Sequence, residues 1–76
     1  MEPRDYPTLR HNLSHNLRRL RRDADLTQEE LSLKAGVDRT YVSQIERQLG
    51  NPSLQVLSAL ATTLGHDLVE LLAPIG

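Results

Sequence analysis

Four side chains in one short window, Arg39, Thr40, Ser43 and Gln44, have the types and spacing to read the edges of base pairs. Arginine offers two N–H groups to O6 and N7 of a guanine, glutamine pairs bidentately with adenine, and threonine presents a methyl to thymine or a hydroxyl to a base edge. Val42 and Ile45, three residues apart, mark the apolar stripe of a helix whose other face carries these four residues. Such a helix fits the major groove of B-form DNA, and its N-terminus adds partial positive charge. Gln28 opens the preceding helix, where backbone N–H groups and a side-chain amide can grip a phosphate. The plain alternative for the window is an exposed polar helix face.

Other chemistries assemble less readily. His11 and His15 have the four-residue spacing of a two-histidine metal pair, but a third ligand and a general base are missing at helpful positions, and His66 lies across a separate loop. The chain has no cysteine, which removes disulfides, thiolate metal sites and cysteine nucleophiles. It shows no phosphate-cradling glycine loop and no nucleophile motif. The expectation is a non-enzyme without cofactor, metal or small-molecule ligand.

The elements that would position these residues follow from caps and stripes. Thr27 with Glu30 forms a capping box, so a helix begins at about Gln28, with Leu31 and Ala35 on one face. Gly36 ends it by leaving through positive φ without Cβ strain. Asp38 caps the next helix, which is expected to run to about Gln48. Upstream, a first helix is predicted from Leu9 to Ala24 with Leu13, Leu17, Leu20 and Ala24 on its buried stripe. Residues 1–8, with two prolines and mixed charges, read as a flexible N-terminal arm, and 9–76 as one domain. Downstream, Leu49 to Pro52 is a loop, Ser53 caps a fourth helix that Gly65 ends, and Asp67 with Glu70 starts a fifth helix closing at Leu72.

Seventy-six residues with two Tyr, no Phe and no Trp allow one small core of Leu, Val, Ile and Ala. Apolar residues recur at helical spacing and no segment alternates with period two for long, so the expected class is all-α, a compact five-helix bundle. No apolar run approaches the roughly 18 residues of a membrane span, and the N-terminus lacks a hydrophobic signal core. A cytoplasmic protein with no membrane partner is the expectation. Net charge is −1, which argues against non-specific coating of nucleic acid. Distribution matters more: Arg10 to Arg22 holds five Arg, two His and no acid, so one face can be positive. Within that run Arg18 and Arg22 are candidate phosphate contacts, with a solvated helix face as the alternative.

TQEEL, the AGV turn, VSQIER, NPSL and the LG..LVELL close together resemble the phage-repressor and Cro-like (XRE-type) helix-turn-helix family, across roughly Leu9 to Leu72. The DRTY and IER pieces are also similar to those of restriction–modification controller proteins, small dimeric regulators. The resemblance implies that Arg39, Thr40 and Gln44 read bases, and that Gln28 grips a phosphate. It further implies that Arg47, Asn51 and Ser53 clamp the backbone on the other side, and that Tyr41 works against DNA; partial core packing with an exposed hydroxyl is the other reading of Tyr41. Glu46 is wrong for a DNA face because a carboxylate repels phosphates, and the family pairs this position with the residue matching Arg21. One departure from the family is Ser32, where alanine is usual; its hydroxyl would have to bond a carbonyl one turn earlier.

One such domain covers a small DNA footprint, and tight sites are usually read by two-fold dimers on half-sites about 34 Å apart. Leu68, Val69, Leu71, Leu72 and Ile75 exceed what one small core easily covers, so some of them are expected at an isologous homodimer interface; closing the monomer core is the alternative. The sequence thus points to a bacterial or phage-type regulator that binds an inverted repeat in double-stranded DNA as a homodimer, and the controller resemblance implies restriction–modification genes among its targets. The rival is an antitoxin or other protein-interaction module on the same fold.

Overall fold

Each helix start is fixed locally. In the computed structural model, which describes residues 4–75, five helices follow one another: α1 (Tyr6–Asp23), α2 (Gln28–Ala35), α3 (Arg39–Glu46), α4 (Leu54–Thr63) and α5 (Leu68–Leu72). Asp5, Thr27, Asp38, Ser53 and Asp67 each occupy an N-cap, with a side-chain oxygen accepting from a backbone N–H of the first turn. The capping boxes expected at Thr27–Glu30 and Asp67–Glu70 are both present.

The helix ends share one device. After α1, α2, α3 and α4 a residue of positive φ, at Asp25, Gly36, Gln48 and Gly65, lets two N–H groups fold back on the last turn. At Gly36, for instance, Gly36 N donates to Leu33 O and Val37 N to Ser32 O. At two of these positions the residue is not glycine, so the left-handed conformation costs about 1–2 kcal/mol there. The residues that follow the first two ends, Leu26 and Val37, pack against the core.

Leu13, Leu17, Leu20, Leu31, Val42, Ile45, Leu57, Leu60, Ala61 and Leu71 form that core. Helix α1 packs against α3 and α5, and α2 against α3 and α4, so the two helices of the turn motif rest on a scaffold made by the other three. Asn12 and Asn16 are buried on α1 and donate to the carbonyls that end α5: Asn16 Nδ2 to Leu71 O and Ala73 O at 3.0 and 2.9 Å, Asn12 Nδ2 to Leu72 O at 3.3 Å. A five-residue helix thereby has its unpaired carbonyls satisfied from a neighbour.

Several sequence expectations need correction. Helix α1 starts at Tyr6, not Leu9, because Asp5 caps it and Pro7 is compatible with a first turn that needs no N–H there. Of the expected arm 1–8, Met1 to Pro3 lie outside the described residues, and Tyr6 to Thr8 are helical. Ala24 is exposed at the C-cap instead of buried. Helix α3 stops at Glu46, two residues early, because Gln48 takes φ 58°. Leu71, assigned to a dimer interface, is 0% exposed in the monomer core, since α5 folds back onto α1. Leu68 and Leu72 also lean on the core, whereas Val69 and Ile75 remain exposed. Among the described residues no helix is long and apolar enough to cross a membrane.

Candidate nucleic-acid interface

The N-terminal ends of α2 and α3 converge on one cleft, lined by Gln28, Glu29, Arg39, Thr40 and Ser43. Three of the four predicted base readers therefore share a surface with the predicted phosphate contact of α2. Arg39 and Thr40 are exposed and Ser43 is half-buried. Asp38 Oδ1 accepts both the Thr40 N–H at 2.8 Å and the Thr40 hydroxyl at 2.7 Å. The hydroxyl hydrogen is thus committed to the cap, and Thr40 offers outward its methyl and a lone pair. Those same bonds hold the Asp38 carboxyl below its usual range, as the Thr27 bonds do for Glu30. Gln44 is exposed but lies against Gly50 of the following loop.

Beneath α3, Glu46 is buried and anchors the helix. Arg21 grips it bidentately, Nε to Oε2 at 2.7 Å and Nη2 to Oε1 at 2.9 Å, and Arg21 Nη1 also donates to Leu26 O at 2.8 Å. Two further residues join. Arg18 donates to Glu46 Oε1 at 3.3 Å and to its carbonyl at 2.9 Å, and Gln28 Nε2 donates to Oε1 at 3.3 Å. Ser14 Oγ adds a bond to the Glu46 carbonyl at 2.8 Å. Burial pushes the Glu46 carboxyl up, but the hydrogen bonds from Arg21, Gln28 and Arg18 and the Arg21 charge prevail, so it lies below the usual glutamate range. The Arg21 guanidinium is correspondingly raised by its bond to Glu46. Burying this cluster is tolerable because α1, α2 and α3 each contribute a partner.

Sequence reasoning missed that Arg18 and Gln28 belong to this network. The signal for Arg18 was available: it lies three residues before Arg21, hence on the same face of α1. For Gln28 there was none, since its approach to Glu46 depends on how α2 crosses α3. The expected phosphate role of both must be shared with this structural one: Gln28 turns its amide inward, while its position at the start of α2 leaves the backbone N–H groups at the cleft. Arg22 is exposed and lines a groove along α1 with His15, Arg18, Arg19 and Asp23.

On the other flank, Arg47 is the exposed C-cap of α3 and Asn51 is exposed in the loop. Ser53 caps α4 by accepting from Val56 N at 3.1 Å, which leaves its hydroxyl hydrogen to donate elsewhere. Tyr41 stands apart from the cleft. It lines a depression between the α2–α3 turn and α4 with Gly36, Gln55 and Ala59, partly exposed. Ser32 is buried and its hydroxyl bonds Gln28 O at 2.8 Å, one turn back, so the helix crossing is kept without alanine. Among the described residues no three His, Asp or Glu side chains gather at a metal-binding distance.

Two short helices joined by a glycine turn, the second presenting an exposed polar face above a buried ion pair, match a known family. The helix-turn-helix family model covers residues 17–71, more than half of the chain. The chain belongs to the helix-turn-helix family. A relative in Sinorhizobium fredii, an uncharacterised HTH-type transcriptional regulator, is 41% identical over 66 residues, spanning 87% of this chain and 86% of that protein. The crystal structure of a hypothetical transcription factor from Neisseria superposes with a TM-score of 0.84 at 39% identity, covering 97% of this chain and 85% of that one. The restriction–modification controller protein C.AhdI of Aeromonas hydrophila gives a TM-score of 0.77 at 39% identity, covering 87% and 98%. These family members are transcription regulators, and helix-turn-helix membership implies DNA binding.

Proposed function

We propose that this protein is a transcription regulator that binds an inverted-repeat operator as a homodimer, placing α3 of each protomer in a major groove. The observation that carries this reading is the shared cleft, in which Gln28 at the start of α2 lies beside Arg39, Thr40 and Ser43 at the start of α3. In this reading Arg39 is the main specificity residue through a guanine, Thr40 and Ser43 contact neighbouring base edges, and Gln44 reads an adenine. Gln28, Arg22 and Arg18 hold phosphates on one flank, and Arg47, Asn51 and Ser53 on the other. Tyr41 lies at the edge of the contact. The dimer surface narrows to the exposed Val69 and Ile75 with the outer edges of Leu68 and Leu72. Likeness to C.AhdI supports restriction–modification genes as targets.

Selection of bound duplexes from a random pool, at low and near-physiological salt, tests the proposal. An enriched inverted repeat with half-sites about 34 Å apart is the expected result. Binding that vanishes with salt irrespective of sequence would point to a protein partner, as an antitoxin-like module would have. Sedimentation of the purified chain tests the dimer: Val69→Glu should yield monomers and loosen operator binding.

A further inference from the structure

Gln44 differs from the other polar residues of α3 in its surroundings. Gly50 has φ +72°, and a Cβ placed on it would stand 2.9 Å from Gln44 Oε1, 3.5 Å from Cδ and 3.6 Å from Cβ. The carboxamide is therefore laid against bare loop backbone, while Arg39, Thr40 and Ser43 line the cleft. That backbone is held from two sides. Leu49 N donates to Gln44 O at 2.7 Å, tying the loop to α3 itself. From α1, the Tyr6 hydroxyl lies 3.4 Å from both Gly50 O and Asn51 Oδ1, and the Arg10 guanidinium sits 5.5 Å over the Tyr6 ring. Gln48 Nε2 also meets His11 Nδ1 at 3.5 Å. The first two turns of α1 thus brace the loop on which Gln44 rests.

We propose that Gly50 and Tyr6 are specificity-positioning residues: the bare Gly50 backbone, braced from α1 by Tyr6, sets where the Gln44 carboxamide stands and hence which base it accepts. The proposal rests on the base-reading role of Gln44 given above. A side chain at position 50 meets the far end of a flexible glutamine, which yields, and alanine held at φ +72° adds backbone strain of the kind the fold already carries at Asp25 and Gln48, so the fold is kept while the donor–acceptor pair moves. Bidentate pairing with adenine needs both amide atoms in one plane at fixed distance, and such a shift alters it directly.

The test compares selection profiles from a random duplex pool for the full chain, Gly50→Ala, Tyr6→Phe, Gln44→Ala and the Gly50→Ala/Gln44→Ala double variant. Gly50→Ala should change the base ratio about fivefold or more at the step that Gln44→Ala also changes, and leave other steps alone. The double variant should reproduce the Gln44→Ala profile, since the glycine acts only through the glutamine. Tyr6→Phe, which removes one hydroxyl and leaves the ring, should move the same step by less. An equal loss on all sequences, or a Gly50→Ala effect that persists without Gln44, would overturn the proposal. If Gln44→Ala left every preference intact, the proposal would fall through its premise. The Gln44 side-chain amide resonances of the DNA-free protein separate the two failures: Gly50→Ala must shift them whether or not the glutamine reads a base.

Discussion

At its N-terminal end α3 presents Arg39, Thr40 and Ser43 with no side-chain bond to another helix among the described residues, whereas at its C-terminal end Glu46 receives Arg18, Arg21 and Gln28 from two other helices. The two ends belong to one helix of eight residues and are built to opposite rules. Side chains that must pair with a ligand gain from having no internal partner to give up. Side chains that fix the helix against its scaffold gain from having several. The positional accuracy of the free end depends on the locked one, because a short helix moves as a rigid rod.

Breaking the locked end should have the largest effect. Arg21→Ala leaves a buried carboxylate short of its bidentate partner and should cost about 3–5 kcal/mol, read from urea unfolding, a large part of the stability of a domain this small. Glu46→Gln should cost less, because an amide keeps some of the bonds. Acid is the second route. The Glu46 carboxyl titrates below its ordinary value of 4.5, so its stabilisation is fully present above that pH and is lost as pH falls through the lower folded value. Unfolding midpoints should drop steeply below about pH 4.5, and the drop should be shallower in Glu46→Gln; an equal slope in both proteins would remove Glu46 as the cause.

At the free end the expected effects are smaller and of another kind. Arg39→Ala should leave stability within about 0.5 kcal/mol of wild type and relax preference at one base step per half-site by about 1–3 kcal/mol. Equal losses on cognate and scrambled duplexes would sink its reading role. Arg47→Ala should weaken all sequences alike and lower the slope of log K against log salt by about 1. Smallest of all, Gln48→Gly relieves the left-handed φ just past the locked end and should stabilise by at most about 1 kcal/mol in the same urea assay.

Local signals account for most of the fold. The N-caps Thr27, Asp38, Ser53 and Asp67, both capping boxes and the Gly36 turn can be read from neighbouring residues, because each is a bond within a few positions of chain. The errors fell where local signals compete. Pro7 suggests an arm until Asp5 is recognised as the cap that makes a proline in the first turn compatible with helix. Gln48 has no composition that demands positive φ, so the early end of α3 was invisible. The polar face of α3 was legible because polar side chains opposite an apolar stripe have one placement on a helix.

The sequence by itself determined the helices, their order and the polar face of α3, since these depend on periodicity and on bonds between near neighbours. Tertiary structure decided the rest. It turned Arg18 and Gln28 toward Glu46, drew Leu71 into the core, set Asn12 and Asn16 on the end of α5 and laid Gln44 against Gly50. Each of these contacts joins residues from different elements, and helix crossing fixes their distance in a way that spacing along the chain does not encode.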